Sequence, residues 1–249
     1  MIHNSQCAYV KDRTICEAVR SIEDILDYTK RYQIKLRLIS IDFKKSFDSV
    51  SRDFLFRTLS AFHFGPSFIQ WIYTFYNNIS SCVLNNGFST APFQVQRGIR
   101  QGDPLSSYLF IIVLEILTIS IRSNKNIQGI MVDGEEIKLE LFADDLTAFL
   151  LNDNSLLKFL ELLKRFGECS GLKINHDKSE MMLLGDFAYS SLNHSLFESI
   201  KIILSEPVNE ERFKVESSTV PVRFQGRCSD HPSHVKTKQR ATHQPTVKK

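Results

Sequence analysis

Leu141-Phe142-Ala143-Asp144-Asp145-Leu146-Thr147-Ala148-Phe149-Leu150 sets two adjacent acids between two apolar arms. An Asp pair at a turn is ordinary hairpin chemistry. Here the apolar arms show that the turn does not sit on an ordinary solvated surface. The reading is a hairpin centred on Ala143-Asp144-Asp145, with strands over 138–142 and 146–151. A third acid has a similar setting. Leu38-Ile39-Ser40-Ile41-Asp42-Phe43 is an apolar run ending in Asp42, and the stretch 35–43 reads as a strand.

The elements around these segments follow from capping and periodicity. Thr14 and Glu17 form a T-x-x-E capping box, and an apolar stripe behind it predicts a helix to about Arg31. Helices are expected over 52–64 and 66–78, with Gly65 ending the first and Pro66 in the first turn of the second. A hairpin over 81–96 turns at Asn85-Asn86-Gly87, and another turns at Asp133-Gly134. Asp103 is placed as the N-cap of an apolar helix reaching about Arg122. Asn154 is the expected cap of a helix over 155–169, stopped by Gly171. Short strands are expected over 172–175 and 178–184. The aromatic group Phe68, Trp71, Tyr73, Phe75 and Tyr76 has helical spacing and reads as mostly core.

With 50–100 set aside, the order is strand, helix, hairpin, helix, strand. That is the split βαβ arrangement of a ferredoxin-like sheet. In such a sheet the first strand and the central hairpin are neighbours, so Asp42, Asp144 and Asp145 would meet at one sheet surface. Carboxylates that close repel one another unless cations neutralise them. Mg²⁺ suits such a site, being commonly held by one or two carboxylates together with substrate phosphates. Two such ions about 3.5–4 Å apart would stabilise both oxygens of a phosphoryl transfer.

Composition bounds the alternatives. The chain has 249 residues, 43% hydrophobic and 24% charged, which excludes disorder throughout, collagen and a disulfide miniprotein. No run of eighteen apolar residues suggests a membrane span. Five scattered cysteines without a CxxC pair fit reduced intracellular thiols and not a zinc site. The net charge of +3 conceals a basic tail, with seven Lys/Arg against Asp230 over 217–249. The preceding residues carry 24 basic and 27 acidic groups. Nucleic-acid binding by this part of the chain would therefore rest on local basic patches and bound cations. Four of the seven prolines lie beyond Leu204, where apolar patterning dissolves and disorder is expected.

Four motifs in order carry a resemblance. Asp42-Phe43-Lys44-Lys45-Ser46-Phe47-Asp48 resembles motif A of reverse transcriptases. Arg97-Gly98-Ile99-Arg100-Gln101-Gly102-Asp103-Pro104-Leu105-Ser106 resembles motif B, and Phe142-Ala143-Asp144-Asp145 resembles motif C. Gly171-Leu172-Lys173-Ile174-Asn175 with Lys178-Ser179 is similar to motif D. The match, over about 6–185, is nearest to non-LTR (LINE-type) retrotransposon polymerases.

This resemblance implies an α+β fold: a reverse-transcriptase palm with a ferredoxin-like (RRM-like) sheet, partial fingers, and a thumb absent or incomplete. It divides the chain into partial fingers (1–34), palm with motif A (35–50), a fingers/palm insertion (51–100), palm with motifs B to D (101–190) and a divergent basic tail (191–249). It implies RNA-directed DNA polymerase activity extending a primer 3′-OH with dNTPs. The partners would be an RNA template and a DNA primer, with no membrane involved. Two Mg²⁺ ions, with Mn²⁺ as a substitute, would be held by Asp42, Asp144 and Asp145. By the same resemblance Lys178 would protonate the leaving pyrophosphate. Arg13, Phe43, Phe47, Gln101 and Gly102 would contact the nucleotide, with Phe47 as the gate against a ribose 2′-OH. Arg97, Gly98, Arg100 and Phe142 would contact template and primer. Motif E and a thumb are not found and Ser107 stands where proline is usual, so the chain reads as a fragment. The alternative is a catalytically silent remnant with at most RNA- or protein-binding activity. Oligomeric state, and nucleus against cytoplasm, are left open by the sequence.

Overall fold

A computed structural model describes residues 1–185 and the backbone of 201–204. The divergent basic tail expected over 191–249, with disorder beyond Leu204, lies outside the described residues apart from the backbone of 201–204. The elements, in chain order, begin with α1 (Ile15–Arg31), β1 (Leu36–Ile41), β2 (Phe43–Lys44), the single turn α2 (Ser46–Ser49), α3 (Arg52–Ala61) and α4 (Pro66–Tyr76). Four two-residue strands follow: β3 (Ser80–Ser81), β4 (Leu84–Asn85), β5 (Phe88–Ser89) and β6 (Phe93–Gln94). Then come α5 (Pro104–Ser123), β7 (Ile130–Val132), β8 (Glu135–Ile137), β9 (Leu139–Phe142) and β10 (Asp145–Leu150). The order closes with α6 (Asp153–Ser170), β11 (Lys173–Ile174), β12 (Glu180–Leu184) and β13 (Lys201–Leu204).

The main sheet runs β13-β12-β1-β10-β9. Without β13 this is the ferredoxin-like order, with α5 crossing from β1 to β9 and α6 from β10 to β12. β1 is antiparallel to both β10 and β12, whereas β13 joins the edge parallel to β12. The sequence reading had no strand after Leu184, so β13 is an addition.

Strand alternation divides the core between the two faces of the sheet. Ile39 and Ile41 of β1, with Leu146, Ala148 and Leu150 of β10, pack against the buried face of α5 and against Phe159 and Leu163 of α6. Leu36 and Phe149 point the other way and cluster with Ile25 of α1 and Ile130 of β7. α5 is long and apolar enough to cross a membrane by length and composition. It is instead the central core helix, with Leu109, Phe110, Val113, Leu114 and Leu117 fully buried.

Several boundaries differ from the sequence reading. The first strand stops at Ile41, and Phe43–Lys44 leaves it to pair with β11. The cause is Asp42, whose N–H donates to Ser179 Oγ and whose carbonyl accepts from Asn175 N, at 3.2 and 2.8 Å. α6 begins at Asp153, capped by Asn152 and not Asn154, because Asn152 is extended and its Oδ1 accepts from Ser155 N. α3 ends before His63, which is left-handed, and Gly65 caps α4 instead of ending α3. In the aromatic group only Tyr76 is buried, while Trp71, Tyr73 and Phe75 are exposed.

Candidate active site

The site grows from one register. Ile41 is opposite Leu146, so continuing the β1–β10 ladder by one position brings Asp42 toward Asp145. Phe142 pairs with Asp145, leaving Ala143 and Asp144 as a two-residue turn. Such tight turns need a positive φ, and Ala143 has φ 57°. A non-glycine residue holds that conformation at a cost, so the surroundings must enforce it. Buried Gln6 does so from the N-terminal segment. Its Oε1 accepts from Ala143 N at 3.0 Å and its Nε2 donates to Ala143 O at 3.2 Å. Its backbone forms a parallel bridge with Leu141.

Two of the three acids line a cleft of about 590 Å³. Asp42 Oδ2 accepts from Asn175 Nδ2 at 2.7 Å, and Asp144 Oδ2 accepts from Ser46 Oγ at 2.6 Å. Each carboxylate is thus fixed by a neutral donor. Asp145 is exposed and is not among the cleft-lining residues. Its carboxyl is nonetheless raised above the ordinary range, first by partial burial and then by the charges of Asp144 and Asp42, against which Lys178 acts. Four lysines, Lys44, Lys45, Lys173 and Lys178, line the same cleft, supplying the local positive charge that the acidic body of the chain requires. Among the described residues no three His, Cys, Asp or Glu side chains stand close enough to hold a metal by themselves. Two carboxylates facing a lysine-lined cleft do fit a hard cation that completes its shell with water and phosphate oxygens.

The other predicted residues are distributed unevenly. Phe43, Phe47 and Gln101 line the cleft. Phe47 is half-buried and stacks on Phe110 with centroids 4.4 Å apart, so it is both cleft wall and core neighbour. Gln101 Nε2 donates to Asp48 Oδ1 at 3.0 Å. Gly98 is buried at φ 89°, and a Cβ there would meet Asp48 O at 2.8 Å. Its N–H donates to Val50 O, and Ile99 N donates to Phe47 O, which docks the motif B segment onto α2. Gly102 has φ 85° in open space, and Arg97 and Arg100 are exposed. Phe142 is half-buried behind the turn. Arg13 is committed elsewhere: its guanidinium donates to the carbonyls of Ile2, His3 and Gln6 and to Asn4 Oδ1. It therefore ties down the segment bearing Gln6, away from the cleft lining.

Sequence reasoning missed Gln6, Ser46 as a partner of Asp144, and Ser179 as the support for Asp42. Ser46 and Ser179 lay inside quoted motifs, but nothing in their spacing showed which acid each would meet.

The site is thus a ferredoxin-like sheet with carboxylates at one end of adjacent strands, beside a cationic cleft. The chain matches the family described as reverse transcriptase (RNA-dependent DNA polymerase) over residues 1–235, and it belongs to that family. It is 32% identical over 187 residues to the 149 kDa protein of transposon TX1 from Xenopus laevis, a span covering 74% of this chain and 14% of that protein. It is 31% identical over 183 residues to the type-1 retrotransposable element R2 polyprotein of Popillia japonica, covering 72% of this chain and 25% of that one. For the R2DM polyprotein of Drosophila melanogaster the identity is 29% over 157 residues, 63% of this chain and 15% of the relative. The chain thus spans a quarter or less of these relatives. Telomerase from Candida tropicalis, solved with a fragment of telomeric RNA, shares the fold with a TM-score of 0.55 at 16% identity, over 74% of this chain and 31% of that one. Sequence places the chain among non-LTR retrotransposon polyproteins, and structure supports a reverse-transcriptase fold.

Proposed function

We propose that the cleft carries RNA-directed DNA synthesis, extending a primer 3′-OH with dNTPs along an RNA template. The observation that supports this most is the pair Asp42 and Asp144, each fixed by a neutral donor on a lysine-lined cleft. Two Mg²⁺ ions, or Mn²⁺ in their place, would supply charge neutralisation at the attacking and leaving oxygens of an in-line transfer. Asp42 and Asp144 would hold them, with Asp145 beside the pair.

The chain's own residues do the positioning. Asn175 and Ser46 each occupy one carboxylate oxygen and leave the other for a cation. Lys44, Lys45 and Lys173 draw the triphosphate into the cleft. The primer oxygen bonds the α-phosphorus, its proton passes to solvent, and the bond to pyrophosphate breaks. Lys178 gives the departing oxygen a proton. The Phe47 ring, backed by Phe110, forms the wall that a ribose 2′-OH would strike. Gly98, packed against Asp48, sets the position of Gln101 and Gly102 beneath the nucleotide. Arg97 and Arg100, both exposed, meet strand phosphates, and Phe142 backs the primer end. Palm functions belong to 35–50 and 101–190.

The test is primer extension on an RNA template with a DNA primer, in Mg²⁺ and in Mn²⁺, against an Asp144→Ala, Asp145→Ala double variant. Extension that the variant loses supports the assignment. A folded chain that binds RNA equally with and without the two acids, and extends nothing, supports a silent binding remnant instead.

A further inference from the structure

From Phe64 to Gln96 the sequence contains no Lys, Arg, Asp, Glu or His over 33 residues. At the 24% charged content of the chain, about eight charged residues would stand there. The same stretch carries seven of the fourteen exposed large apolar side chains among the described residues. Trp71 and Phe75 project from α4, and Val83, Leu84, Phe88 and Phe93 from the hairpin that follows, with Leu84 and Phe88 73% and 82% exposed. The hairpin is slight: β3 pairs only with β6, and β4 only with β5, through two residue pairs each. The outer edges of these strands have no ladder partner among the described residues. Two-stranded hairpins of this size are marginal alone, and exposed edges are ordinarily blunted by charge.

We infer that this hairpin is a self-association surface, whose occupant is the same hairpin of a second copy of the chain. Nucleic acid is a poor fit, because strand-binding surfaces combine stacking rings with cations that meet phosphates, and this stretch has no cation. A charged protein face would be desolvated with nothing to pair it. A second copy meets neither obstacle. An uncharged patch faces itself without like-charge repulsion, and an unpaired edge can accept its own copy in antiparallel register about a two-fold axis. The β4–β5 register places Phe88 opposite Asn85, on the face that Val83 shares, and Leu84 opposite Ser89 on the other face, so each face of the hairpin carries uncharged polar and apolar side chains. Cys82, exposed between β3 and β4, then approaches the Cys82 of the other copy.

The experiment is sedimentation equilibrium of the full chain over a wide concentration range. The parent is compared with a Leu84→Asp, Phe88→Asp double variant and a Met131→Asp control, which adds one charge to the separate β7–β8 hairpin. The expected result is a concentration-dependent doubling of mass, weakened at least tenfold in the double variant and unchanged in the control. A second readout avoids any disturbance of the hairpin. A short bismaleimide should link two copies when Cys82 is kept and Cys16, Cys169 and Cys228 are serine, and should fail after Cys82→Ser. A monomer at every concentration overturns the inference, as does a dimer indifferent to the double variant. Loss of RNA affinity or of binding to zwitterionic lipid vesicles in the double variant, at unchanged mass, also overturns it.

Discussion

The side-chain amide of Gln6 satisfies both backbone groups of Ala143, 137 residues away, and so holds a left-handed alanine in the turn that presents Asp144. Gln6 Oε1 also accepts from Ala8 N, so the amide bonds two segments at once. Gln6→Leu keeps the volume and removes these bonds, leaving buried backbone groups unpaired. The expected loss is about 1–3 kcal/mol of stability, with a larger proportional loss of primer extension. Urea unfolding and extension assays on the same preparation check both.

Asp144→Asn should separate chemistry from folding. It keeps a partner for Ser46 and removes one of the two negative charges that raise Asp145. Extension should fall by at least about 10²–10³-fold, while the melting temperature holds or rises. A fall in melting temperature with extension retained would refute the role assigned to Asp144.

Gly171 ends α6 at φ 82°, where a Cβ would run into Ser49 O next to the motif A turn. Gly171→Ala combines a left-handed strain with a backbone clash and should cost about 2 kcal/mol or more, read by thermal unfolding. Gly102→Ala, at φ 85° but in open space, should cost only about 1 kcal/mol.

Glu140 on β9 accepts a hydrogen bond from Ser21 Oγ of α1, and burial pushes its carboxyl up to about 7. The folded state then holds its proton where the unfolded chain, near 4.5, has released it. Stability from this group is complete below about pH 4.5 and is lost as pH rises through about 7. Glu140→Gln should flatten that slope and stabilise the protein at pH 8 by on the order of 2 kcal/mol. Unfolding free energies at pH 5 and pH 8 for both proteins test the sign.

Local chemistry made much of the fold readable. The Thr14–Glu17 capping box, Asp103 before Pro104 and Gly171 after α6 all mark real helix ends. Apolar alternation marked β1, the apolar arms marked the β9–β10 hairpin, and the ferredoxin-like order made β1 and β10 neighbours. Errors fell where a distant group competes with local preference. Ser179 and Asn175 pull Asp42 out of the ladder, which no property of residues 35–43 announces. Asn152 displaces Asn154 as the cap because the strand before it delivers an extended backbone, which places Asn152 Oδ1 within reach of Ser155 N. The candidate acids were visible because carboxylates within apolar runs are rare. The bonds of Arg13 to local carbonyls were not legible, because a lone arginine carries no sign of whether carbonyls or phosphates will receive its donors.

The bonds that orient Asp42 come from Asn175 and Ser179, and the one that shapes the Asp144 turn comes from Gln6. Each joins residues more than 130 positions apart. A ribosome adding 5–20 residues per second therefore needs roughly 7–30 s between making the first member of each pair and the last. The apolar strand ending in Asp42 waits for β10 through most of that interval and for β12 through all of it. A nascent chain halted before Ser179 carries every residue of motifs A, B and C and still lacks the hydroxyl that holds the Asp42 backbone. Assembly of the cleft is thus a late event in synthesis, set by the slowest-arriving partner and not by the acids themselves.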